Sequence, residues 1–275
     1  LEFGQMFHRF GSQVTILQHS GQLLGREDDD VAEGMRQILE EDDIQIYLNA
    51  QTDSISQTTN NRINLQVSTP NGQINLSGSH LLVATGRIPN SDQLRLNETG
   101  VKVDRRGYIE VNDKLETNMA GIYAVGDIKG GPAFTHIAYD DFRILEGNLL
   151  HKKSLNIKDR MVPYVLFTDP QLGRIGLSEK EARAANIDFE VVKIPMNYVA
   201  RALELDRASG FMKALVNTDT RQILGAAILG VEGGEIMSML QIAMMGKVPY
   251  TVLRDGIFAH PTLAESLNTL FSSLP

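Results

Sequence analysis

Residues 117–127 are Thr-Asn-Met-Ala-Gly-Ile-Tyr-Ala-Val-Gly-Asp, and this stretch indicates the fold more directly than any other part of the chain. The residues from Ile122 to Val125 form an apolar run bounded by turn residues, which is typical of a buried strand. Gly126 lets the backbone turn where a Cβ atom would crowd a ligand. We therefore expect an open α/β sheet with Asp127 at its carboxyl edge, where ligands bind in such sheets.

The Asp127 carboxylate has two interpretations when these residues are taken alone. It can accept hydrogen bonds from the sugar hydroxyls of a dinucleotide, or it can simply cap the next turn. Two flanking segments favour the first interpretation. They are Ala-Thr-Gly-Arg-Ile-Pro-Asn at 84–90, after a predicted strand at 80–83, and Gly-Pro-Ala-Phe-Thr-His at 131–136.

These three ordered segments resemble motifs of the two-dinucleotide-binding flavoproteins, the family of glutathione reductase, dihydrolipoamide dehydrogenase and mercuric reductase. The resemblance implies that Gly126 and Asp127 bind the ribityl chain of FAD. It also implies that the turn at Gly86 closes the nicotinamide domain. The residues implied to lie near the flavin ring through their backbone amides are Phe134, Thr135 and His136.

Composition and charge exclude several classes of protein. The 275 residues are 42% hydrophobic and 22% charged, which suits a globular enzyme of more than one domain. The net charge of −8 argues against nucleic-acid binding. No apolar run approaches the roughly 20 residues of a membrane span, and no signal peptide is recognisable, so a cytoplasmic location is the default expectation.

The chain has no cysteine, which excludes a disulfide framework and a zinc-thiolate site. It also excludes the thiol pair that disulfide reductases of the resembled family use. In that family the Cys-x4-Cys motif lies in an N-terminal half beside the first FAD fingerprint. We therefore expect this chain to lack that half.

The first residues agree with this expectation. Residues 1–10 have apolar side chains at helical spacing, and residues 13–17 are typical of a strand. In the resembled family, Leu-Glu-Phe-Gly directly follows the G-x-G-x-x-G turn. Glu2 resembles a glutamate near the nicotinamide, although it is equally explained as a solvated carboxylate in a first helical turn. Gln18 stands where an acidic side chain favours NAD and a basic one NADP, so neither charge rule is met.

The remaining pattern predicts α/β and α+β architecture, with partial Rossmann-like nucleotide-binding domains followed by an α+β dimerisation domain. Residues 1–76 are expected to be the remainder of the NAD(P)-binding domain, 77–157 the C-terminal segment of the FAD-binding domain, and 158–275 the dimerisation domain. In the last of these, Ser178 and Glu181 form a capping box. Strands at 211–216 and 223–229 predict a hairpin, and a Met-rich helix at 235–245 suits either a core or an adaptable interface.

The segment Ile-Phe-Ala-His-Pro-Thr-Leu-Ala-Glu at 257–265 contains the catalytic candidates. It resembles the family's His-Pro-Thr-x-x-Glu, which implies that His260 is the acid-base catalyst and that Glu265 orients it. A histidine suits this task because its ordinary pKa of about 6.5 is close to working pH. Thr262 and Glu265 are also spaced as a capping box, so Glu265 has a structural alternative.

The resemblance implies a fragment of an FAD-dependent NAD(P)H oxidoreductase. Electrons would pass from NAD(P)H through FAD to a thiol/disulfide pair, and then to a disulfide or metal-ion substrate. Homodimerisation through the C-terminal domain is implied, because His260 would serve the partner subunit. Within the family the chain most resembles bacterial reductases related to reactive-chlorine resistance, which reduce copper(II). The alternative is a non-catalytic dimerisation module.

Overall fold

A computed structural model describes residues 1–275. The chain forms two compact units. The larger unit combines Leu1–Leu81 with Pro163–Pro275, and the smaller unit is Leu82–Val162. The larger unit is therefore discontinuous in sequence.

The helices and strands follow one another along the chain in a mixed order. The N-terminal part of the larger unit contains α1 (Glu2–Arg9), β1 (Thr15–Leu17), α2 (Asp29–Glu41), β2 (Gln45–Tyr47), β3 (Gln51–Gln57), β4 (Ile63–Thr69) and β5 (Gly72–Gly78). The smaller unit contains α3 (Leu96–Thr99) and α4 (Thr135–His151). The C-terminal part of the larger unit contains β6 (Tyr164–Leu166), β7 (Gln171–Gly176), α5 (Glu179–Ala184), β8 (Phe189–Pro195), α6 (Ala200–Glu204), β9 (Phe211–Asn217), β10 (Ile223–Gly230), α7 (Gly233–Met245), α8 (Tyr250–Asp255) and α9 (Ser266–Phe271).

Three sheets form in the larger unit. Strands β1 and β2 pair in parallel, as expected for a nucleotide-binding fold with a crossover helix between them. Strands β3, β4 and β5 form an antiparallel meander. The third sheet has five antiparallel strands in the order β6-β7-β10-β9-β8. It contains the predicted hairpin, which pairs β9 with β10.

Strand β10 is buried on both faces because helices cover both sides of the five-stranded sheet. Its side chains at Ala226 and Ile228 join one core with α7, and those at Ala227 and Leu229 join a second core with α2. This double burial explains why β10 is a continuous apolar run instead of an alternating one. The five-stranded sheet thus connects the two sequence segments of the larger unit.

A charge cluster around the buried Lys213, defined here as Lys213, Asp28, Asp30 and Glu179, reinforces this connection. The Lys213 side chain is 1% exposed, and its Nζ atom lies 3.0 Å from Asp28, 2.9 Å from Asp30 and 2.6 Å from Glu179. Asp28 also accepts hydrogen bonds from the first amides of α5. The three carboxylates are close enough together to bind a metal ion, but the ammonium group fills the position between them.

Helix prediction from local signals agrees with the structure. The predicted capping box is formed, with the Ser178 side chain accepting from the Glu181 amide and the Glu181 side chain accepting from the Ser178 amide. In α7, Met237 is buried, so the core interpretation holds for it, whereas Met245 is 65% exposed and is compatible with the interface interpretation.

The strand predicted at 122–125 is wrong. These residues are not part of a strand, and Ile122 and Val125 are each 39% exposed. They pair locally with residues 115–117, through the Ala124 amide donating to the Leu115 carbonyl and the Thr117 amide donating to the Ile122 carbonyl. The strand predicted at 80–83 is irregular as well. The physical reason is that an apolar run becomes a buried strand only where flanking strands pair with it, and residues 82–162 contain no strand beyond isolated bridges.

The mixed helix and sheet architecture confirms the predicted fold class. None of the helices combines the length and the apolar character needed to cross a bilayer.

Candidate functional site

The first group of predicted site residues surrounds the turn at Asp127, in the smaller unit. A 3-10 turn spans Gly126–Lys129 and leaves the Asp127 carboxylate 53% exposed. Its Oδ2 atom lies 3.0 Å from Nη1 of Arg87, a residue of the turn that contains Gly86. Because a carboxylate can accept about four hydrogen bonds, Asp127 keeps acceptor capacity for a ligand.

The conformation of this turn depends on Gly126. Its φ of +70° lies in the left-handed region that residues with a side chain rarely adopt. An added Cβ would stand 3.4 Å from the Cβ of Ala138 on α4, so the helix packs closely behind the turn. The Gly126 amide donates to Oδ2 of Asp141 on α4, at 2.9 Å.

The segment after this turn leads into the N-terminus of α4. Gly130 and Gly131 both have positive φ, at 75° and 82°. Phe134 is the N-cap of α4 and Thr135 its first residue. The Phe134 and His136 rings stack, with centroids 5.2 Å apart and planes 12° apart. The three residues predicted near the flavin are therefore adjacent at a helix start, where backbone amides are not used by the helix.

The second group is the pair His260 and Glu265, in the larger unit. Nδ1 of His260 lies 2.8 Å from Oε2 and 3.1 Å from Oε1 of Glu265. The histidine ring is 66% exposed, whereas Glu265 is half-buried. The Glu265 amide donates to Oγ1 of Thr262, so the hydroxyl supports the chain before α9 while the carboxylate contacts the imidazole.

This arrangement defines what the histidine can do chemically. A carboxylate at Nδ1 favours a proton on that nitrogen in the neutral ring, which leaves Nε2 as the exposed acceptor. His260 and Glu265 are thus arranged as a general acid-base pair.

Glu2 and Gln18 each lie in the N-terminal part of the larger unit and contact other residues. Oε1 of Glu2 accepts a hydrogen bond from the Phe167 amide at 2.6 Å, so this carboxylate is not merely solvated. Nε2 of Gln18 donates to the Gln22 carbonyl at 3.2 Å. The amide of Gln18 donates to the carbonyl of Tyr47 on β2.

Sequence reasoning gave no role to two side chains at the Asp127 turn, Arg87 and Asp141. Arg87 belongs to a recognised motif, but its ion pair with Asp127 spans forty positions and has no local signal. Asp141 did leave a signal. It lies on the buried face of α4 between Ile137 and Ile144, where helical spacing calls for an apolar side chain.

The residues around Asp127 fit the sugar portion of a dinucleotide. An exposed carboxylate with spare acceptor capacity suits hydroxyl donors. At Gly131 an added Cβ would meet nothing within 4 Å, so the backbone there is open to close approach of a ligand. No cysteine is available in this chain to form a redox thiol pair.

Two family models match this chain. Residues 1–141 match the pyridine nucleotide-disulphide oxidoreductase family, and residues 162–271 match its dimerisation domain. The chain belongs to this family of oxidoreductases. The resemblance stated from sequence is thereby confirmed, and the family is one of flavoproteins that use FAD and NAD(P)H.

Several curated relatives align along nearly the whole chain. The probable pyridine nucleotide-disulfide oxidoreductase RclA of Escherichia coli is 39% identical over 99% of this chain and 61% of its own length. A dihydrolipoyl dehydrogenase of Thermus scotoductus is 32% identical over 97% of this chain and 58% of its own length. A mercuric reductase of Staphylococcus aureus is 32% identical over 97% of this chain and 48% of its own length. The chain thus spans about three fifths or less of the length of these relatives.

Solved structures give the same relation. The HOCl-induced flavoprotein disulfide reductase RclA from Escherichia coli superposes with a TM-score of 0.91 at 38% identity, over 99% of this chain and 62% of that one. A Cu(II) complex of the same reductase gives the same values. The expected relation to reductases linked to reactive chlorine is therefore confirmed.

Proposed function

We propose that this chain supplies the ribityl-binding carboxylate and the acid-base pair of an FAD-dependent NAD(P)H oxidoreductase that reduces a disulfide or a metal ion. The observation that carries the proposal is the contact of 2.8 Å between Nδ1 of His260 and Glu265, which leaves Nε2 exposed for proton exchange. Two related solved structures, a flavoprotein disulfide reductase and its Cu(II) complex, support the two substrate classes.

The chain's own residues have separate tasks in this proposal. Asp127 would hold the ribityl chain of FAD by accepting hydrogen bonds from its hydroxyls, and backbone amides at 134–136 would hold the flavin ring. When bound, FAD would accept a hydride from NAD(P)H and pass two electrons to a thiol/disulfide pair. His260 takes a proton at Nε2 from a thiol and returns it to the departing thiolate. Glu265 holds the proton on Nδ1 and stabilises the charged ring in between.

We also propose that the chain acts as a homodimer through residues 158–275. The match to a dimerisation domain supports this assignment. So do exposed apolar side chains on α7 and just before His260, namely Ile242 at 70%, Met245 at 65% and Ile257 at 102% exposure. Light scattering at micromolar concentration should give twice the monomer mass, and a monomeric mass would contradict the proposal.

The acid-base role is tested with the full-length gene product. His260→Ala should lower NAD(P)H-dependent reduction of a disulfide by about 10²- to 10⁴-fold, the usual contribution of a general acid-base group. Glu265→Gln should lower it less and shift the pH profile of turnover. The matched control is His151→Ala, which removes an exposed histidine at the end of α4 and should leave turnover unchanged. Equal activity of the His260→Ala variant would remove this residue from the mechanism.

A second candidate function is a dimerisation module without catalysis of its own. The lack of cysteine in these 275 residues favours it for the chain taken alone. We expect the 275-residue chain to bind FAD weakly or not at all. A yellow protein with flavin absorbance after gel filtration would contradict this expectation and favour the catalytic function.

A further inference from the structure

Asp141 is a buried carboxylate that takes no part in the acid-base chemistry proposed for His260 and Glu265. Its side chain on α4 is completely buried, at 0% exposure. Oδ1 lies 2.6 Å from Nη1 of Arg160, and Oδ2 lies 3.2 Å from Nζ of Lys129. Lys129 is itself 4% exposed. Buried ionised groups persist only where partners compensate for lost hydration, so this position is specified by its contacts.

The same carboxylate controls the backbone next to Asp127. Oδ2 of Asp141 accepts the Gly126 amide at 2.9 Å. This amide is the first of the 3-10 turn Gly126–Lys129, where helical bonding offers it no acceptor. Lys129, at the other end of the turn, binds the same oxygen. Both ends of the turn that presents Asp127 are therefore attached to one buried side chain.

We propose that Asp141 is a positioning residue for the FAD-binding carboxylate. It fixes the Gly126 amide and the end of the turn at Lys129, and it thereby sets the direction in which Asp127 faces its ligand. Preorganisation of this kind improves affinity because the turn does not have to be ordered on binding. The inference rests on the proposed function, in which Asp127 accepts hydrogen bonds from the ribityl chain.

A purely structural role would follow from the ion pairs alone, whereas a positioning role depends on an acceptor for Gly126. Three variants of the full-length gene product separate these roles. Asp141→Asn keeps an acceptor but not the charge. Asp141→Leu removes both. Asp141→Leu combined with Lys129→Met and Arg160→Met also removes the cations that would be left unpaired, which should restore stability.

FAD affinity is measured from flavin fluorescence on release, and stability from thermal unfolding of the same samples. We expect Asp141→Leu to weaken FAD binding roughly tenfold to a hundredfold, as expected from the loss of a hydrogen bond to a charged group. The triple variant should regain thermal stability but not affinity. Asp141→Asn should stay within about threefold of wild-type affinity, since its amide oxygen accepts from Gly126. The control Asp140→Asn alters the neighbouring carboxylate, which lies 3.4 Å from Arg160, and should leave affinity unchanged.

Hydrogen exchange of the Gly126 amide gives a readout that does not involve FAD. It should accelerate at least about tenfold in Asp141→Leu and remain unchanged in Asp140→Asn. Recovery of FAD affinity together with stability in the triple variant would overturn the inference, and so would equally weak binding in the Asn and Leu variants. If Asp141→Leu binds FAD as tightly as a flavin-binding wild type, the inference fails while the proposed function stands. A wild-type gene product that binds no FAD overturns both.

Discussion

The two compact units bury their apolar side chains very differently. In the larger unit, β10 contributes alternate side chains to two cores and is covered on both faces. In the smaller unit one small cluster holds Val101, Ile109 and Ala124 with a few half-buried neighbours, and Leu115, Ile137 and Ile144 are buried outside it. Apolar side chains remain exposed there, including Val83 at 68% and Ile88 at 88%. An apolar run is therefore not enough to form a strand. In the larger unit the apolar run of β10 forms one because β7 and β9 pair with it and helices cover both of its faces.

The largest effect on this comparison is expected when the larger unit loses the buried ammonium group of Lys213. Lys213→Met leaves the buried Asp28 carboxylate facing the half-buried carboxylates of Asp30 and Glu179 with no cation between them. We therefore expect a loss of about 3 kcal/mol in the free energy of unfolding, the lower end for a broken buried ion pair. Urea unfolding monitored by circular dichroism measures it. The control is Lys180→Met, because Lys180 pairs with Asp29 on the surface and should contribute less than about 1 kcal/mol. Equal losses in the two variants would contradict the burial argument.

The same variant should flatten the acid dependence of stability. Burial alone would raise the pKa of Asp28, yet hydrogen bonds from the Glu179 amide and Lys213 lower it below its ordinary value. Burial likewise opposes the hydrogen bonds from Lys193 and Lys213 that lower the pKa of Asp30. Because these pKa values are lowered on folding, the stabilisation is present above the unfolded value of about 3.9 and is lost as pH falls below it. The advantage of wild type over Lys213→Met should therefore shrink between about pH 4 and pH 2.

Two glycines offer a matched comparison of packing in the two units. Gly210 and Gly121 both have positive φ, at 95° and 79°. A Cβ at Gly210 would lie 2.0 Å from the Leu229 carbonyl oxygen, whereas a Cβ at Gly121 would meet nothing within 4 Å. Gly210→Ala should cost about 3 kcal/mol or more, and Gly121→Ala only about 1 kcal/mol of backbone strain. Differential scanning calorimetry of the two variants measures the difference. Equal shifts in melting temperature would show that backbone strain, and not the clash of the added Cβ, determines the loss of stability.

Hydrogen exchange sharpens the same contrast without mutation. Amides at 226–229 form ladder bonds between two strands and beneath two helices. In the segment 122–125, the Ile122 amide donates to the Met119 carbonyl and the Ala124 amide to the Leu115 carbonyl, both of them local partners. We expect the amides of this segment to exchange at least about a hundredfold faster in the 275-residue chain. Comparable protection in both segments would mean that the smaller unit is as cooperative as the larger one.

The smallest effect is expected at an exposed side chain of the smaller unit. Ile88→Ser should change the free energy of unfolding by less than about 0.5 kcal/mol, since little apolar surface leaves a buried site. Ile228→Ser on β10 is the matched control and should cost several kcal/mol, because it buries a hydroxyl and opens a cavity. Urea titration of both variants measures the difference.

Sequence alone could predict the elements whose signals are local. The capping box at Ser178 and Glu181 and the hairpin of β9 and β10 both depend on residues a few positions apart. His260 and Glu265 are five positions apart, so their proximity was also accessible.

Contacts between distant residues could not be predicted in this way. Lys213 meets Asp28 across 185 positions, and nothing local to either residue marks the pair. The error at 122–125 has a related cause, because the apolar run is a local signal but its pairing partners are not. Asp141 lies between these cases. Its place on the apolar face of α4 indicates that the carboxylate has a buried partner, but it does not indicate which residue that partner is.

The packing of α2 against β10 also constrains how the chain folds as it is made. Val31, Met35 and Leu39 form an apolar face that shares a core with Leu229. The ribosome adds roughly 5–20 residues per second, so about 10 to 40 s separate the synthesis of this helix from that of its covering strand. During that interval neighbouring residues such as Ile16 and Ile44 can cover part of this face, and the part that Leu229 covers stays exposed. Because of this order of synthesis, we expect chaperones to bind the apolar face of α2 while the rest of the chain is being made.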